Sequence, residues 1–476
     1  MNKPRVLFVY PNPEGYGGVP NGLAILSGYL KNNGIETDCF DTTFYNSPPE
    51  TFNQRAKHGF FKETNYKDVW GEYDDTLKDK IPQLFADKIN EFKPDLIAIS
   101  HVDICVKFMD KIILDIKNKF NIPIVAGGIT CTSTPEVMIK KSYLDMICIG
   151  EGEQSLLELI NRIYNKEDYS DIKNLWVKKD GKIIKNELRP FMDMNKLGFQ
   201  DWDIFDKRHY YKPYCGRFWI TAFVEMARGC HFNCTYCVNS LLRKRYKDLG
   251  NFMRLRDVDI VIDEICFLKE KHGVELVFFI DDNFLGMPQE RFDYFCEQYQ
   301  KRVNLPFWIQ SRSEMITEYK IKKLKEIGVS TISIGLEHGC QMYREKYMNR
   351  YGSDESIINA FDIVNGLGIR TTANLIVGMP YEKEEMMEDT INILKRIKPS
   401  SVSMNFFLPF SGTVMRQMAL DLGLINEDFI LSGSVKPLEG IKGFSSDRIR
   451  HYYENLKKYV SGELVFNLEG KNEKIN

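Results

Sequence analysis

Three cysteines, Cys230, Cys234 and Cys237, fall within the segment Met226-Ala-Arg-Gly-Cys-His-Phe-Asn-Cys-Thr-Tyr-Cys-Val-Asn-Ser240. Their C-x3-C-x2-C spacing does not suit a closed zinc site, which takes four protein ligands and usually draws them from two close pairs. No second pair follows at zinc-finger distance. Three thiolates on a cube of four irons would leave one iron open to a ligand from outside the protein. An open iron is reactive, so the segment is read as a site of metal or redox chemistry rather than as three core thiols. Further polar groups recur after apolar runs: Asp281-Asp282-Asn283, Gln310-Ser-Arg312, Gly335-Leu-Glu337 and Gly378-Met-Pro-Tyr-Glu382. Carboxylates there could hold an ammonium group or cap a following helix. Arg312 could grip a carboxylate with both arms of its guanidinium, or form an ordinary ion pair.

The elements that must position these residues form two α/β series. In the first, β-rich apolar runs at Val6–Tyr10, Leu96–Ser100, Ile122–Ala126 and Met146–Ile149 are each followed by a loop and a helical pattern. Buried parallel strands read this way, so a doubly wound, Rossmann-like domain is expected over 1–186. A polar stretch at about 44–75 reads as an insertion, and Asp180-Gly181 between two short runs reads as a tight hairpin. Residues 187–217 lack periodicity and read as a linker. A second series, Trp219–Glu225, Leu276–Ile280, Phe307–Gln310, Thr331–Gly335, Ala373–Val377 and Val402–Phe407, predicts a partial (β/α)6 barrel over 218–424. Such barrels work at the carboxyl ends of their strands, where the cysteine run and the polar groups fall. Residues 425–476 read as a small C-terminal extension.

The chain has 476 residues, a net charge of −2 and eleven cysteines. Neither a global basic field for nucleic acid nor an 18-residue apolar run for a membrane span is present. The run Arg243-Lys-Arg-Tyr-Lys247 reads as a solvated helix face. The odd cysteine count beside a cluster motif suggests reduced thiols and a cytoplasmic setting.

The cysteine run resembles the signature of the radical S-adenosylmethionine (radical SAM) enzymes, with Tyr236 in the aromatic position before the last cysteine. The resemblance implies that Cys230, Cys234 and Cys237 bind a [4Fe–4S] cluster whose open iron is chelated by SAM. It further implies that an electron, from a donor such as flavodoxin or ferredoxin, cleaves SAM to a 5′-deoxyadenosyl radical. Asp281 and Asp282 stand where the family binds the methionyl amine. Arg312 and Glu337 match positions that meet the carboxylate and ribose of SAM. Gly378 and Glu382 resemble the Gly-x-Pro-Gly-Glu-Thr strand end near the adenine, although Tyr381 replaces the glycine and Lys383 the threonine. Pro409-Phe-Ser-Gly-Thr413 resembles the turn after the sixth strand, with Ser411 in place of a proline.

The first domain resembles the cobalamin-binding domain that precedes the barrel in one large radical SAM class. By that resemblance Gly127, Gly128 and Thr130 line the space for the cobalamin nucleotide tail, and Gly150, Glu151 and Gly152 close the same edge. The Asp-x-His-x-x-Gly motif is absent, which argues against histidine-ligated cobalt; His101 is the nearby candidate and reads as a loop histidine. The implied function is a cobalamin-dependent C-methyltransferase acting on an unactivated carbon of a small-molecule, lipid or peptide substrate. The alternatives are a cobalamin-using cyclase or rearrangement enzyme without methyl transfer, and a member that has lost cobalamin. Methylthio transfer lacks its further cluster cysteines, and a plain electron carrier would leave the strand-end carboxylates idle.

Overall fold

The protein is described by a computed structural model covering residues 3–466, apart from 14, 16, 46–63, 75, 101, 430 and 432–435. His101 and most of the expected insertion therefore lie outside the described residues.

Two seven-stranded sheets organise the chain. The first contains β1 (Arg5–Tyr10), β2 (Glu36–Asp41), β3 (Leu96–Ser100), β4 (Ile124–Gly127), β5 (Met146–Cys148), β6 (Leu175–Lys179) and β7 (Lys182–Lys185), in the order β2-β1-β3-β4-β5-β6-β7. β1 to β5 pair in parallel, and β6 and β7 add antiparallel at the edge. This order is doubly wound, with a switch point between β1 and β3 where ligand crevices form. Leu7, Ile97 and Ile124 face one apolar layer while Val6, Leu96 and Val125 face the other, as strands covered on both sides require. Asp180 and Gly181 turn the β6–β7 hairpin with φ of 50° and 72°, the left-handed pair a primed turn demands.

The second sheet runs β16-β15-β14-β13-β12-β9-β8. Its parallel strands are β9 (Arg217–Val224), β12 (Leu276–Phe279), β13 (Phe307–Arg312), β14 (Val329–Glu337), β15 (Arg370–Val377) and β16 (Ser401–Phe406). β8 (Tyr211–Tyr214) pairs antiparallel with β9 at the edge. A short ribbon of β10 (Ala227–Arg228) and β11 (Arg254–Leu255) brackets the cysteine run. Helices join the strands, giving the open half-barrel expected from the sequence.

The stretch expected as a linker is more ordered than its composition suggests. It supplies β8, two single-turn helices (Met194–Lys196 and Lys207–Tyr210) and the fully buried Trp202. Within it His209, fully buried, contacts the Asp41 carboxylate through Nε2 and the Gly18 carbonyl through Nδ1 at 3.2 Å. Gln200 donates its backbone N–H to Glu264 at 2.9 Å, and Glu264 is paired with Arg256 at 2.7 Å, the Glu264 and Arg256 side chains being buried. The segment thus fastens the barrel to the first domain. The C-terminal helix Ser446–Ser461 buries Ile449, Tyr452, Leu456 and Tyr459 and pairs Arg448 with Glu384 of the barrel.

Candidate active site

The cysteine run leaves the carboxyl end of β9 and is tied down from several sides. Gly229, at φ 91°, passes so close to the ribbon that a Cβ there would lie 2.4 Å from the Phe252 carbonyl oxygen. Arg243 donates to the Cys230 carbonyl, Thr235 donates its hydroxyl to the Tyr347 carbonyl at 2.6 Å, and Asn349 donates to the Asn233 carbonyl at 2.7 Å. Cys237 begins the helix Val238–Arg245. The loop is therefore rigid before any ligand arrives.

Cys234 is buried, while Cys230 and Cys237 are half-buried. Burial pushes the Cys230 thiol up and takes the Cys237 thiol to about 12, so a metal must displace protons to bind here. Among the described residues no three His, Cys, Asp or Glu side chains converge tightly enough for a single ion. A four-iron cube instead takes one thiolate per iron, which spaces the ligands more widely, so three free thiols on one anchored loop fit it. Arg312, 6% exposed, donates from Nη1 to Cys234 Sγ at 3.2 Å and stacks its guanidinium 3.7 Å over the Phe232 ring. Its other arm is held by Glu314, whose carboxyl stays at about 2: burial opposes the charge but Arg312 outweighs it.

The two aspartates after β12 divide their work. Asp281, 2% exposed, accepts from the amides of Met226 (3.3 Å) and Ala227 (2.5 Å), anchoring the start of the cysteine run. Burial raises its carboxyl to about 8, with Glu225 adding to the shift. Asp282 is exposed and accepts from Asn239 at 2.8 Å, so it is the member of the pair that a ligand ammonium can reach. Its carboxyl is raised by the protein crowding around it, against the lowering effect of Asn239. Across the barrel mouth, Glu337 stands at φ 64°, an uncommon conformation for a residue with a side chain. Arg350 lies 3.8 Å from Glu337, donates to the Gly335 carbonyl at 2.6 Å and reaches the Tyr236 hydroxyl at 3.3 Å. Burial raises Glu337, and Arg350 and then Arg312 pull it back down. Arg350 has no motif to mark it in the sequence.

Glu382 is placed differently from the expectation of a ligand contact. It is fully buried, accepts from the amides of Gly378 (2.7 Å) and Met379 (2.8 Å), and faces His338 Nε2 at 3.4 Å. It shapes the end of β15 from behind, where no ligand can touch it. Tyr381, standing where the family pattern has glycine, adopts φ 64° and stacks on Tyr347 with centroids 4.9 Å apart.

On the first domain, the ends of β1, β3, β4 and β5 surround a cavity of about 450 Å3. Gly127, Gly128, Gly150, Glu151 and Gly152 all line it, and its far side is closed by Glu225, Arg228 and Ile280 of the barrel. Thr130 does not line it. Its hydroxyl donates to Asp103 at 2.7 Å, at the rim of a separate hollow beside Arg416, because the helix Ile129–Ser133 turns the side chain away from the switch point. No histidine lies among the described residues that line the larger cavity. Glu151 joins the two domains: Arg228 pairs with it at 2.9 Å, with Glu153 at 3.1 Å and with Glu225 at 3.0 Å, and Arg254 also grips Glu151. Burial opposes the Glu151 carboxylate, but Arg254 and Arg228 prevail and keep its carboxyl below the usual range.

Residues 224–394 match the family model of the radical SAM superfamily. An uncharacterized methyltransferase of Pyrococcus horikoshii is 25% identical over 379 residues, 78% of this chain and 79% of that one. An anaerobic magnesium-protoporphyrin IX monomethyl ester cyclase of Rubrivivax gelatinosus is 26% identical over 424 residues, 85% of this chain and 68% of that one. The structure of TsrM, a radical SAM methyltransferase from Kitasatospora setae with tryptophan substrate and a SAM analog bound, aligns with a TM-score of 0.66 at 16% identity over 94% of this chain and 83% of its own. OxsB, a cobalamin-dependent SAM radical enzyme with aqua-cobalamin and SAM bound, aligns with a TM-score of 0.60 at 16% identity over 96% of this chain and 62% of its own. At such identities the two structures share the architecture of a Rossmann-like domain followed by a half-barrel. The region that matches the radical SAM superfamily model contains the cysteine run and the barrel strands β12 to β15.

Proposed function

We propose that this chain is a cobalamin-dependent radical SAM methyltransferase that places a methyl group on an unactivated carbon. One observation carries the reading: the cavity at the switch point of the first sheet is closed by the barrel residues Glu225, Arg228 and Ile280, the first two immediately preceding the cysteine run. Its volume of about 450 Å3 lies within the range of small-molecule sites and suits the nucleotide tail of a corrinoid rather than the whole cofactor. The same two-domain architecture holds aqua-cobalamin in OxsB.

When bound, the cluster with SAM supplies a 5′-deoxyadenosyl radical and cobalamin supplies a transferable methyl group. The chain's own residues do the rest. Cys230, Cys234 and Cys237 would hold the cluster, and Arg312 directs a charged hydrogen bond at the Cys234 sulfur, an interaction that tunes cluster potential. Asp282 would take the methionyl ammonium. Tyr236, Arg350 and Glu337 lie together, and Glu337 would meet a ribose hydroxyl of SAM. Gly127, Gly128 and the Gly150–Gly152 edge would accept the nucleotide tail, while the Arg228 and Arg254 pairs with Glu151 keep the domains closed and water out.

Anaerobic reconstitution with iron, sulfide, SAM, hydroxocobalamin and a reductant tests this. Deoxyadenosine should form, Cys234→Ala should lower its rate at least 100-fold, and a substrate drawn from candidate pools should gain one methylene unit in mass. Deoxyadenosine release by Cys234→Ala at the wild-type rate would refute the cluster assignment. A product formed without the methylene gain would refute methyl transfer.

A further inference from the structure

Lys212 places an ammonium group against aromatic rings of the half-barrel, away from the cluster and SAM contacts. Lys212 lies on β8 opposite Trp219, so both side chains share one face of the sheet. Its Nζ sits 5.4 Å from the ring centroid of Phe223, 5.8 Å from Phe278 and 5.7 Å from Trp308. Those rings form a single transverse row, because Phe223 registers with Phe278 and Phe278 with Trp308. The Phe278 and Trp308 rings stack 4.2 Å apart.

The row lies on the inner face of the half-barrel sheet. On β12 and β13 the alternate residues Val277, Phe279, Phe307 and Ile309 are fully buried against the outer helices, whereas Phe278, Trp308 and Gln310 on the inner face are partly open. Lys212 is likewise partly open. Among the described residues its ammonium has no hydrogen bond and no ion pair; the three rings are its contacts. Burial alone lowers it to about 8, with no carboxylate acting on it. Aromatic rings return only a small part of the hydration an ammonium gives up. A desolvated ammonium without a counter-charge is costly, and an anion arriving from outside removes that cost.

Position gives the rest of the argument. Trp308 precedes Arg312 by four residues on one strand, so the aromatic row lies roughly 13 Å below the guanidinium that touches Cys234, at about 3.3 Å per residue. Because Tyr214 also stacks on Trp308, with ring centroids 5.7 Å apart, a molecule with its anionic end at Lys212 would lay its apolar body along the edges of the Phe278 and Trp308 rings and extend towards the cysteine run.

We propose that Lys212 and the Phe223–Phe278–Trp308 row are the substrate floor of the barrel, binding the carboxylate or phosphate of an anionic substrate with a flat apolar body. The proposal deepens the methyltransferase reading, since it takes the inner face of the half-barrel as that reaction's substrate surface.

Calorimetry on the reconstituted holoenzyme tests it with three probes of one body: 2-naphthoate, 2-naphthyl phosphate and the neutral 2-naphthamide. The wild type should bind at least one anion tenfold or more tightly than the amide, and the tighter of the two identifies the anionic group. Lys212→Met should erase that preference while leaving the amide affinity unchanged, and Lys212→Arg should retain it. Equal affinities in the wild type, no binding by any probe, or a preference that survives in Lys212→Met would each overturn the proposal. Deoxyadenosine release and corrinoid binding are measured on the same samples. Loss of the anion preference with both intact removes the floor alone; loss of corrinoid binding with the preference intact removes methyl transfer alone.

Discussion

Asp281 turns both carboxyl oxygens towards the amides of Met226 and Ala227 while almost wholly withdrawn from solvent, and this has a consequence for stability. Its carboxyl titrates at about 8 in the folded chain against 3.8 as the ordinary value. A group whose folded value is raised contributes fully below its unfolded value, and the contribution is lost as pH rises through the folded one. Thermal stability should therefore decline between about pH 4 and pH 8, and Asp281→Asn, which keeps an acceptor oxygen without the charge, should flatten that slope. Melting temperatures of both proteins at pH 5, 6.5 and 8 check this; parallel slopes would count against it. Glu382 makes a second test at this scale. Its two backbone hydrogen bonds are buried, so Glu382→Ala should cost about 2–4 kcal/mol in denaturant unfolding. A variant as stable as the parent would show that the turn after β15 does not depend on it.

At the scale of elements, strands covered on both faces were readable in the sequence because each is a nearly continuous apolar run. β1, β3, β4 and β5, held between the two apolar layers of the first domain, belong to this class. β2, Glu-Thr-Asp-Cys-Phe-Asp, escaped because it lies at a sheet edge and four of its six residues are polar. β8 escaped for a related reason: Pro213 is tolerated at an edge and disguises the strand as a linker. The motifs located the strand ends but not how each side chain is employed there. Thr130, Asp281 and Glu382 stand at the expected positions with their polar groups already engaged by the protein. Arg350 and Lys212 acquire meaning only from the elements packed around them, and no local pattern marks either. The connection between domains depends on Glu264, which holds Arg256 and the Gln200 amide in a buried setting. Removing one member of such a pair leaves a charge stranded, so Glu264→Ala should lose about 3–5 kcal/mol. Chemical denaturation followed by tryptophan fluorescence reads the loss; a change below about 1 kcal/mol would show that the clasp is dispensable.

Over the whole molecule, the two sheets meet where both have their strand ends, so the cavity of the first domain and the cysteine run of the second open on the same interface. The pairs of Arg228 and Arg254 with Glu151 bridge that interface, and their removal should loosen it. Arg228→Ala should speed proteolytic cleavage within 187–217 several-fold, and an unchanged cleavage rate would place the domain contact elsewhere. The cavity itself can be filled without straining the backbone. Gly127 has no left-handed torsion, and a Cβ there would meet only Cys148 at an ordinary 3.8 Å, so a leucine side chain would enter the hollow. The most direct test of the account is a titration of anaerobically reconstituted protein with hydroxocobalamin, wild type beside Gly127→Leu, with deoxyadenosine release followed in the same samples. The account predicts one corrinoid per wild-type chain, at least tenfold weaker binding by Gly127→Leu, and deoxyadenosine release by both. A wild type that binds no corrinoid, or a Gly127→Leu variant that binds it equally well, would contradict it.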